Sequence, residues 1–249
     1  MPRQLPQIDD DRGATNAGVV LRLCEVRFAW PGNRDFALSI EAFQLYAGES
    51  LLLTGPSGSG KSTLLSLLCG IVRPASGLVE GFGCDLTKLR GAAGDRFRAD
   101  HFGIIFQMFN LLPYASVLDN VLLPLSFSKV RLQRATGDGA AAAEAGRLLG
   151  RLGLGDDLLP RRASALSVGQ QQRVAAARAL IGRPDVIIAD EPTSALDPAR
   201  RQSFLSLLLE EVEAAGASLV MVSHDPLLAD RFDRVLPIEE LLGAGAAGP

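Results

Sequence analysis

The sequence predicts an α/β fold in which a parallel β-sheet core carries an N-terminal antiparallel β subdomain and an inserted helical subdomain. Three observations lead to this prediction. Short, continuously apolar runs of strand length alternate with segments of helical pattern, as expected for parallel strands covered by helices. Two runs near the N-terminus alternate apolar and polar residues instead, which is typical of antiparallel strands with one exposed face. A long stretch, from about residue 110 to 165, is mostly helical.

The first predicted elements are short and β-rich. The segments "VVLRLCEVRFAW" (Val19–Trp30) and "FALSIEAFQLY" (Phe36–Tyr46) alternate, whereas "ESLLLTG" (Glu49–Gly55) is a continuous apolar run. Pro-Gly and Ala-Gly pairs separate these segments, as turns between strands require. We therefore expect two antiparallel strands followed by the first strand of the buried sheet.

The remaining elements complete the core. A helical pattern covers Ser62–Cys69 and stops at Gly70, and further apolar runs end in polar residues at "FGIIFQ", "DVIIAD" and "SLVMVSHD". The alternation of these runs with helices predicts a parallel sheet. We expect residues 1–18 to form a flexible tail and residues 19–249 to form one domain, with its core at 19–109 and 166–249 and the helical subdomain at about 110–165.

Composition argues against several classes of protein. The chain has 249 residues, 47% hydrophobic and 21% charged, which is ordinary globular usage. The net charge is −3, so there is no basic field to hold a nucleic-acid backbone. Three cysteines without CxxC spacing argue against a disulfide framework or a zinc site and favour a reducing cytoplasm. We predict no membrane span, because no apolar run reaches the roughly 18–20 residues that a membrane helix needs, and no signal peptide.

A phosphate-binding loop is predicted at "GPSGSGKS", between a buried strand and a helix. Its glycines let successive backbone N–H groups turn toward an anion, and the start of the helix adds a positive dipole. Lys61 can reach the β- and γ-phosphates, and the Ser62 hydroxyl can take a Mg²⁺ position. The alternative is a glycine- and serine-rich turn that contains a lysine. We predict a P-loop NTPase core that binds a nucleoside triphosphate through Gly55, Pro56, Ser57, Gly58, Ser59, Gly60, Lys61 and Ser62.

Two adjacent acids follow another buried strand. The segment "DVIIADE" ends with Asp190 and Glu191, and ligands of open α/β sheets lie at the carboxyl ends of the strands. Because neighbouring strand residues face opposite ways unless the strand is ending, we expect the two acids to have different roles. Asp190 would hold Mg²⁺ through water, and Glu191 would orient and deprotonate the attacking water. The alternative is a strand capped by solvated acids.

These motifs together resemble those of the ATP-binding-cassette (ABC) ATPases, over nearly the whole chain from about Val19 to Ile238. The resemblance is carried by "GPSGSGKS", Gln107 at the end of "GIIFQ", the signature-like "LSVGQQQR" (Leu166–Arg173), "VIIADEPTSALD" (Val186–Asp197) and "VSHD" (Val222–Asp225). It implies an enzyme that hydrolyses ATP with Mg²⁺ as its metal.

The resemblance also implies roles for particular residues. Trp30 would stack on adenine, and a core position is the alternative for this residue. Thr63 would contact phosphate. Gln107 would touch Mg²⁺ or the attacking water and pass the nucleotide state to the helical subdomain. Asp197 would belong to a loop that crosses a dimer interface, and His224 would hydrogen-bond the γ-phosphate.

The stretch "ALSVGQQQRVAAARAL" predicts a helix that begins with a capping box, Ser167-x-x-Gln170. The start of a helix carries about half a positive charge and unpaired N–H groups, so this one is an anion receptor without a catalyst. By resemblance, Ser167, Gly169 and Gln170 would receive the γ-phosphate bound on another copy of the chain, in a head-to-tail homodimer. Val168 departs from the family, which usually has glycine at this position, and its branched side chain would narrow the approach to phosphate.

The resemblance finally implies a partner in the membrane. A cassette without a membrane span usually drives a separate integral membrane permease, which would place this chain on the cytoplasmic face of the inner membrane. The segment Phe106–Phe127 is similar to cassettes of the lipoprotein-releasing, macrolide-exporting and cell-division group, although "EPTSALD" differs from the "EPTGNLD" common there. We predict export or lipoprotein release. A transmembrane signalling relay and a solute importer are the alternatives.

Overall fold

The computed structural model describes residues 18–32, 37–137, 139–194 and 196–242. The tail predicted at residues 1–18 lies outside this part of the chain, except for Gly18. The helices and strands, in chain order, are β1 (Val19–Ala29), β2 (Ala37–Tyr46), β3 (Ser50–Thr54), α1 (Lys61–Leu68), β4 (Ser76–Gly81), β5 (Cys84–Asp85), α2 (Ala92–His101), β6 (Phe102–Ile105), α3 (Val117–Leu122), α4 (Lys129–Thr136), α5 (Ala141–Arg151), α6 (Val168–Leu180), β7 (Val186–Asp190), α7 (Pro198–Ala215), β8 (Ser218–Val222), β9 (Arg234–Pro237) and α8 (Ile238–Leu241).

An antiparallel sheet is formed by the N-terminal strands in the order β2-β1-β4-β5. The predicted antiparallel pairing of β1 with β2 is confirmed. Along β1 the buried side chains change phase, from Leu21 and Leu23 to Val26 and Phe28. The pairing of β1 with β4 shifts register between Cys24 and Arg27, which is a β-bulge that accounts for the change of phase.

A second sheet has the order β6-β7-β8-β3-β9 within the described residues, and every pair in it is parallel. Its inner strands β7, β8 and β3 are buried on both faces, whereas the edge strand β9 is partly exposed. Leu51 and Leu53 of β3 lie in one hydrophobic core, together with α1 and the antiparallel sheet, whereas Leu52 lies in the other core, together with the helices α3 to α6. This arrangement explains the continuously apolar runs, because successive residues of the inner strands serve different cores.

The helices α3, α4 and α5 lie between β6 and α6 in the chain, and α3 and α5 both pack against α6.

The sequence did not predict β4, β5, α2 or β9 as separate elements. Within the four described ranges, no helix combines the length and the apolar character that crossing a membrane requires.

Candidate nucleotide-binding site

Four neighbouring strands of the parallel sheet carry several of the predicted site residues at their carboxyl ends. The phosphate loop follows β3, His224 follows β8, Asp190 ends β7, and Gln107 follows β6. Since β6, β7, β8 and β3 are adjacent and parallel, these groups lie along one edge of the sheet. The sheet order therefore brings together residues that are up to 169 positions apart in the sequence.

The phosphate loop depends on glycines with left-handed backbone. Gly55, Gly58 and Gly60 have φ values of 144°, 81° and 97°. A Cβ atom on Gly55 would also lie 2.6 Å from Cγ2 of Ile238, just after β9. Gly55 is therefore required both by its backbone conformation and by the close approach of α8.

Lys61 is the first residue of α1, and its side chain folds back over the loop. It is only 6% exposed. The Nζ atom donates to the carbonyl oxygens of Gly55 at 2.8 Å and Pro56 at 2.6 Å. The Ser59 hydroxyl lies 3.5 Å from Nζ and donates to the same Pro56 oxygen at 2.7 Å. The ammonium group is thus held inside the loop, where it faces the space that the loop encloses.

The start of α1 is open to an anion. Gly60 is its N-cap and supplies no side-chain hydrogen bond, and the first turn contains no acidic residue. The N–H groups of Lys61, Ser62 and Thr63 make no hydrogen bond to any described residue. The positive end of the helix dipole is therefore uncompensated within the described chain.

Trp30 lies next to this helix. Its Nε1 atom donates to Oγ1 of Thr63 at 3.3 Å, and its ring packs edge-on against Phe28 with the ring centroids 5.0 Å apart. The side chain is 41% exposed, so the alternative of a core position is not what the structure shows. One part of the indole remains available for stacking.

Asp190 lies beside the phosphate loop. Burial raises the pKa of Asp190 above its usual value, and the charge of Glu191 adds to this shift. The hydroxyl of Ser62 and the ammonium of Lys61 act in the opposite direction. The carboxyl group therefore faces the two residues of the phosphate loop that were predicted to contact Mg²⁺ and phosphate.

Glu191 leaves the course of the strand directly after Asp190. Its φ value of 45° is left-handed, which is rare for a residue with a side chain and is typical of functional sites. Its N–H group donates to the Val222 carbonyl at 3.2 Å, and its Oε1 atom lies 3.5 Å from Nδ1 of His224. The turn thus places the Glu191 carboxylate against the imidazole at the end of the neighbouring strand.

An ion pair next to His224 was not predicted from the sequence. Arg201 of α7 contacts Asp225 with 2.5 Å between Nη1 and Oδ2, and it also donates to the Leu196 carbonyl at 3.3 Å. Hydrogen bonding to Arg201 holds the pKa of Asp225 below its usual value. The arginine joins the segment before α7 to the segment that carries His224, and no sequence signal pairs these two residues.

The start of α6 has the predicted capping box. The N–H of Gln170 donates to the Ser167 hydroxyl at 3.3 Å, and the N–H of Ser167 donates to Oε1 of Gln170 at 2.9 Å. Val168 is 52% exposed. Among the described residues, no hydrogen bond or ion pair connects the segment Ser167–Gln170 to the phosphate loop. No such contact therefore joins these two sets of predicted residues within the described part of the chain.

Two other predicted residues are exposed at element ends. Asp197 is the N-cap of α7 and accepts from the N–H of Arg200 at 3.0 Å. Gln107 lies in a turn after β6, and its side chain makes no hydrogen bond to the described residues. His101, which had no predicted function, contacts Asp185 at 2.7 Å and stacks on Phe82.

The oxygen donors at this edge fit Mg²⁺ bound together with a nucleotide. Within the described ranges, no three His, Cys, Asp or Glu side chains cluster so that they could hold a metal ion. The predicted donors are instead one carboxylate, one hydroxyl and one amide, from Asp190, Ser62 and Gln107. Mg²⁺ prefers oxygen and usually takes one or two carboxylates together with phosphates and water. Such a set suits a metal that arrives with ATP.

A parallel sheet with a glycine-rich phosphate loop after one strand and an acid pair after another defines the class of P-loop nucleotide-binding proteins. The sequence model of the ABC transporter family matches residues 38–194. The chain belongs to this family, and it is an ATP-binding, ATP-hydrolysing cassette.

Similar proteins agree with this assignment. The lipoprotein-releasing system ATP-binding protein LolD of Anaeromyxobacter dehalogenans is 45% identical over 192 residues, which are 77% of this chain and 78% of that protein. LolD of Novosphingobium aromaticivorans is 40% identical over 223 residues, 89% of this chain and 96% of that one. The macrolide export ATP-binding/permease protein MacB of Salmonella typhimurium is 36% identical over 225 residues, which are 89% of this chain and 33% of MacB. The predicted resemblance to the lipoprotein-releasing and macrolide-exporting group is confirmed.

Solved structures give the same fold. A dimeric ATP-binding cassette in a post-hydrolysis state, bound to ADP and Pi, has a TM-score of 0.74 and 32% identity, and the match covers 87% of this chain and 93% of the other. A dimeric bacterial ABC transporter cassette has a TM-score of 0.75, also with 32% identity. The predicted α/β fold class is confirmed.

Proposed function

We propose that this chain is the motor subunit of an export or lipoprotein-release transporter and that it works as a head-to-tail dimer closed by ATP. ATP would bind on the phosphate loop, Gly55 to Ser62, with Thr63 as a further phosphate contact and Trp30 against adenine. The Lys61 ammonium would exchange the Gly55 and Pro56 carbonyls for phosphate oxygens.

Hydrolysis would depend on the pair formed by Glu191 and His224. Glu191 would orient and deprotonate the attacking water, and His224 would hydrogen-bond the γ-phosphate. The observation that carries this proposal is the 3.5 Å approach of His224 Nδ1 to Glu191 Oε1 on the left-handed turn after β7. Ser62, Asp190 and Gln107 would hold Mg²⁺, which neutralises phosphate charge when it is bound.

The start of α6 would act on ATP held by a second copy. Ser167, Gly169 and Gln170 share no hydrogen bond with the phosphate loop of their own chain. A Cβ atom on Gly169 would meet only Leu196, at an ordinary distance of 3.7 Å, so no contact inside the described chain requires a glycine there. A phosphate approaching from another copy would explain the glycine, and Asp197 would lie in the same interface.

Replacing Glu191 with Gln tests the chemistry. The amide keeps the size of the side chain but cannot accept the proton, so ATP binding should persist while turnover falls by roughly 10²–10⁴-fold. The chain should also accumulate as an ATP-bound dimer, measured by light scattering with and without ATP.

Glu213→Gln is the matched control, because Glu213 is exposed on α7, away from the site. It should leave both the turnover and the monomer fraction unchanged. A Glu191→Gln variant that hydrolyses ATP at the wild-type rate would exclude Glu191 as the base.

The membrane partner would dock in a groove of about 640 Å³ next to α2. Its apolar lining includes Ile71, Leu123, Pro124 and Phe127, and Phe127 is 67% exposed. We propose that an amphipathic cytoplasmic helix of an integral membrane permease occupies it. The support is that MacB, a similar protein, is named as an ATP-binding protein and permease in one chain, of which this chain covers 33%. This partner would hold the chain at the cytoplasmic face of the inner membrane.

Phe127→Glu should release the chain from the membrane fraction of cells that contain its permease, while ATP binding is retained. Tyr114→Glu is the control, because Tyr114 is equally exposed but does not line the groove. Equal release of both variants would contradict this docking site. A permease with few spans and a large extracytoplasmic domain would support export or lipoprotein release, whereas one with many spans and a solute-binding accessory would indicate import.

A further inference from the structure

Arg178 lies in the last turn of α6 and is almost completely buried, at 9% exposed. Burial lowers the pKa of its guanidinium, and no carboxylate within the described chain pairs with it. A buried cation without an ion partner needs other acceptors to offset its lost hydration. Nη1 donates to the Asn110 carbonyl at 2.7 Å, and Nη2 donates to the Phe109 carbonyl.

These two acceptors belong to the turn that carries Gln107. Phe109 and Asn110 are consecutive residues with φ values of 58° and 49°, a strained backbone for residues with side chains. The turn is closed by the Phe109 N–H, which donates to the Phe106 carbonyl at 2.9 Å. Gln107 therefore lies inside a strained turn whose far end is held by the guanidinium of Arg178.

The same helix begins at Ser167. The helix α6 and its Arg178 therefore connect two parts of the proposed site. The start of α6 is proposed to contact the ATP of the partner, and the turn of Gln107 is proposed to contact the ATP of the same chain. We infer that Arg178 is a positioning residue that fixes the Gln107 turn to α6 and thereby sets the Gln107 side chain for hydrolysis. The inference rests on the proposed role of Gln107.

Arg131 provides a matched control. It is 2% exposed, and its guanidinium also donates only to carbonyl oxygens, those of Phe102, Ala179 and Ile181 among them. Burial lowers its pKa to about 10. Arg178 lies in the last turn of α6, and Arg131 donates to carbonyl oxygens at the end of the same helix. Arg131 also contacts Phe102 at the beginning of β6, which is the opposite end of that strand from Gln107.

The test is a double-mutant cycle on the full chain, with kcat and the Kd of ATP as readouts. Trp30 is the only tryptophan of the sequence, and its fluorescence should report ATP binding because the proposed function places it against adenine. Arg178→Lys should lower kcat by roughly 10–100-fold, as expected for a misplaced contact, with little change in Kd. In a Gln107→Ala background the same substitution should cause no further loss, because its effect passes through Gln107. Arg131→Lys should lower the Tm but leave kcat unchanged at temperatures where the chain is folded.

Equal kcat losses from Arg178→Lys with and without Gln107, or the same loss from Arg131→Lys, would overturn the inference. If Arg178→Lys does not fold, Arg178→Met replaces it, since methionine removes the hydrogen bonds without leaving a buried charge.

If Gln107→Ala alone leaves kcat unchanged, the proposed role of Gln107 fails. Amide exchange then tests the geometry separately: Arg178→Lys should speed exchange at Phe109 at least about tenfold and Arg131→Lys should not, and unchanged exchange would refute the contact.

Discussion

The starts of α1 and α6 are two versions of the same structure, a helix N-terminus without acidic residues in its first turn. At α1 the N-cap is Gly60, no side chain caps the helix, and a buried lysine follows. At α6 the N-cap is Ser167, which exchanges hydrogen bonds with Gln170, and an exposed valine follows.

The difference separates a complete anion site from a partial one. The glycines and Lys61 wrap the α1 start with N–H groups and a cation, so phosphate can be bound by one chain. The capping box at α6 uses the N–H of Gln170 and leaves those of Val168 and Gly169 without a partner in the described residues. With no lysine and no enclosing loop, the α6 start can contribute to an anion site only when something else supplies the rest.

The largest expected effect comes from removing the cation of the complete site. Lys61→Ala should abolish nucleotide binding and hydrolysis, because the phosphates lose the ammonium that faces them. A titration with a fluorescent ATP analogue, followed by its anisotropy, measures nucleotide binding. Lys129→Ala is the control, since Lys129 is exposed on α4. Normal ATP binding by Lys61→Ala would remove the phosphate-loop assignment.

A mixture of variants then tests whether the two helix starts meet between chains. Ser167→Arg blocks the α6 start and Lys61→Ala disables the α1 start, so each variant alone should be inactive. In a head-to-tail dimer, one site of each mixed pair is intact, and equal amounts should restore up to about a quarter of the wild-type rate. A mixture with no activity would show that both starts serve the same chain's nucleotide.

The sequence was sufficient for the α6 start, because a capping box is a local pattern, and for four strands of the parallel sheet, β3, β6, β7 and β8, because their apolar runs are continuous. It was not sufficient for α2, in which Gly94 is the only buried residue of Ala92–His101, so no apolar stripe marks the helix. The strand β9, with the sequence Arg-Val-Leu-Pro, is too short and too polar to stand out.

The contacts of Arg178 show a different limit. An arginine inside an alanine-rich helix is visible in the sequence, but its acceptors are backbone carbonyls 68 and 69 positions away. Backbone acceptors have no residue signature, so only the fold reveals them. The glycine-rich loop and the acid pair could be located in the sequence for the opposite reason, since the roles predicted for them require particular side chains at fixed spacing.

Methyl groups added to the two sites should have opposite effects on stability. Gly55→Ala places a Cβ atom 2.6 Å from Ile238 on a left-handed backbone and should destabilise the chain by roughly 1–3 kcal/mol. A Cβ atom at Gly169 meets only Leu196, at 3.7 Å, so Gly169→Ala should leave the Tm unchanged or raise it, since helix propensity adds up to about 1 kcal/mol to the free energy of unfolding. Its ATPase rate should nevertheless fall at least about tenfold, because the methyl group would lie between the α6 start and the partner's phosphate.

Thermal unfolding and steady-state hydrolysis, measured on the same samples, separate these effects. A Gly169→Ala variant with a lower Tm would mean that the glycine is needed inside the chain. Full activity of that variant would mean that no phosphate approaches the α6 start, and the partial site would then be only a capped helix.

The smallest expected effect is at Val168, where the chain departs from the glycine usual in its family. Val168 is 52% exposed, so replacing it should change the free energy of unfolding by about 0.5 kcal/mol or less. Its branched side chain lies at the start of α6, beside N–H groups that have no partner among the described residues, and it would restrict the approach of a phosphate. In a Glu191→Gln background, where the ATP-bound dimer accumulates, the dimer dissociation constant should decrease stepwise from valine to alanine to glycine, several-fold in all. Light scattering at saturating ATP measures this dissociation constant.

Identical dissociation constants for valine, alanine and glycine at position 168 would mean that phosphate reaches the α6 start from a direction that the valine does not restrict. The uncapped N–H groups of Val168 and Gly169 would then not both face the ligand.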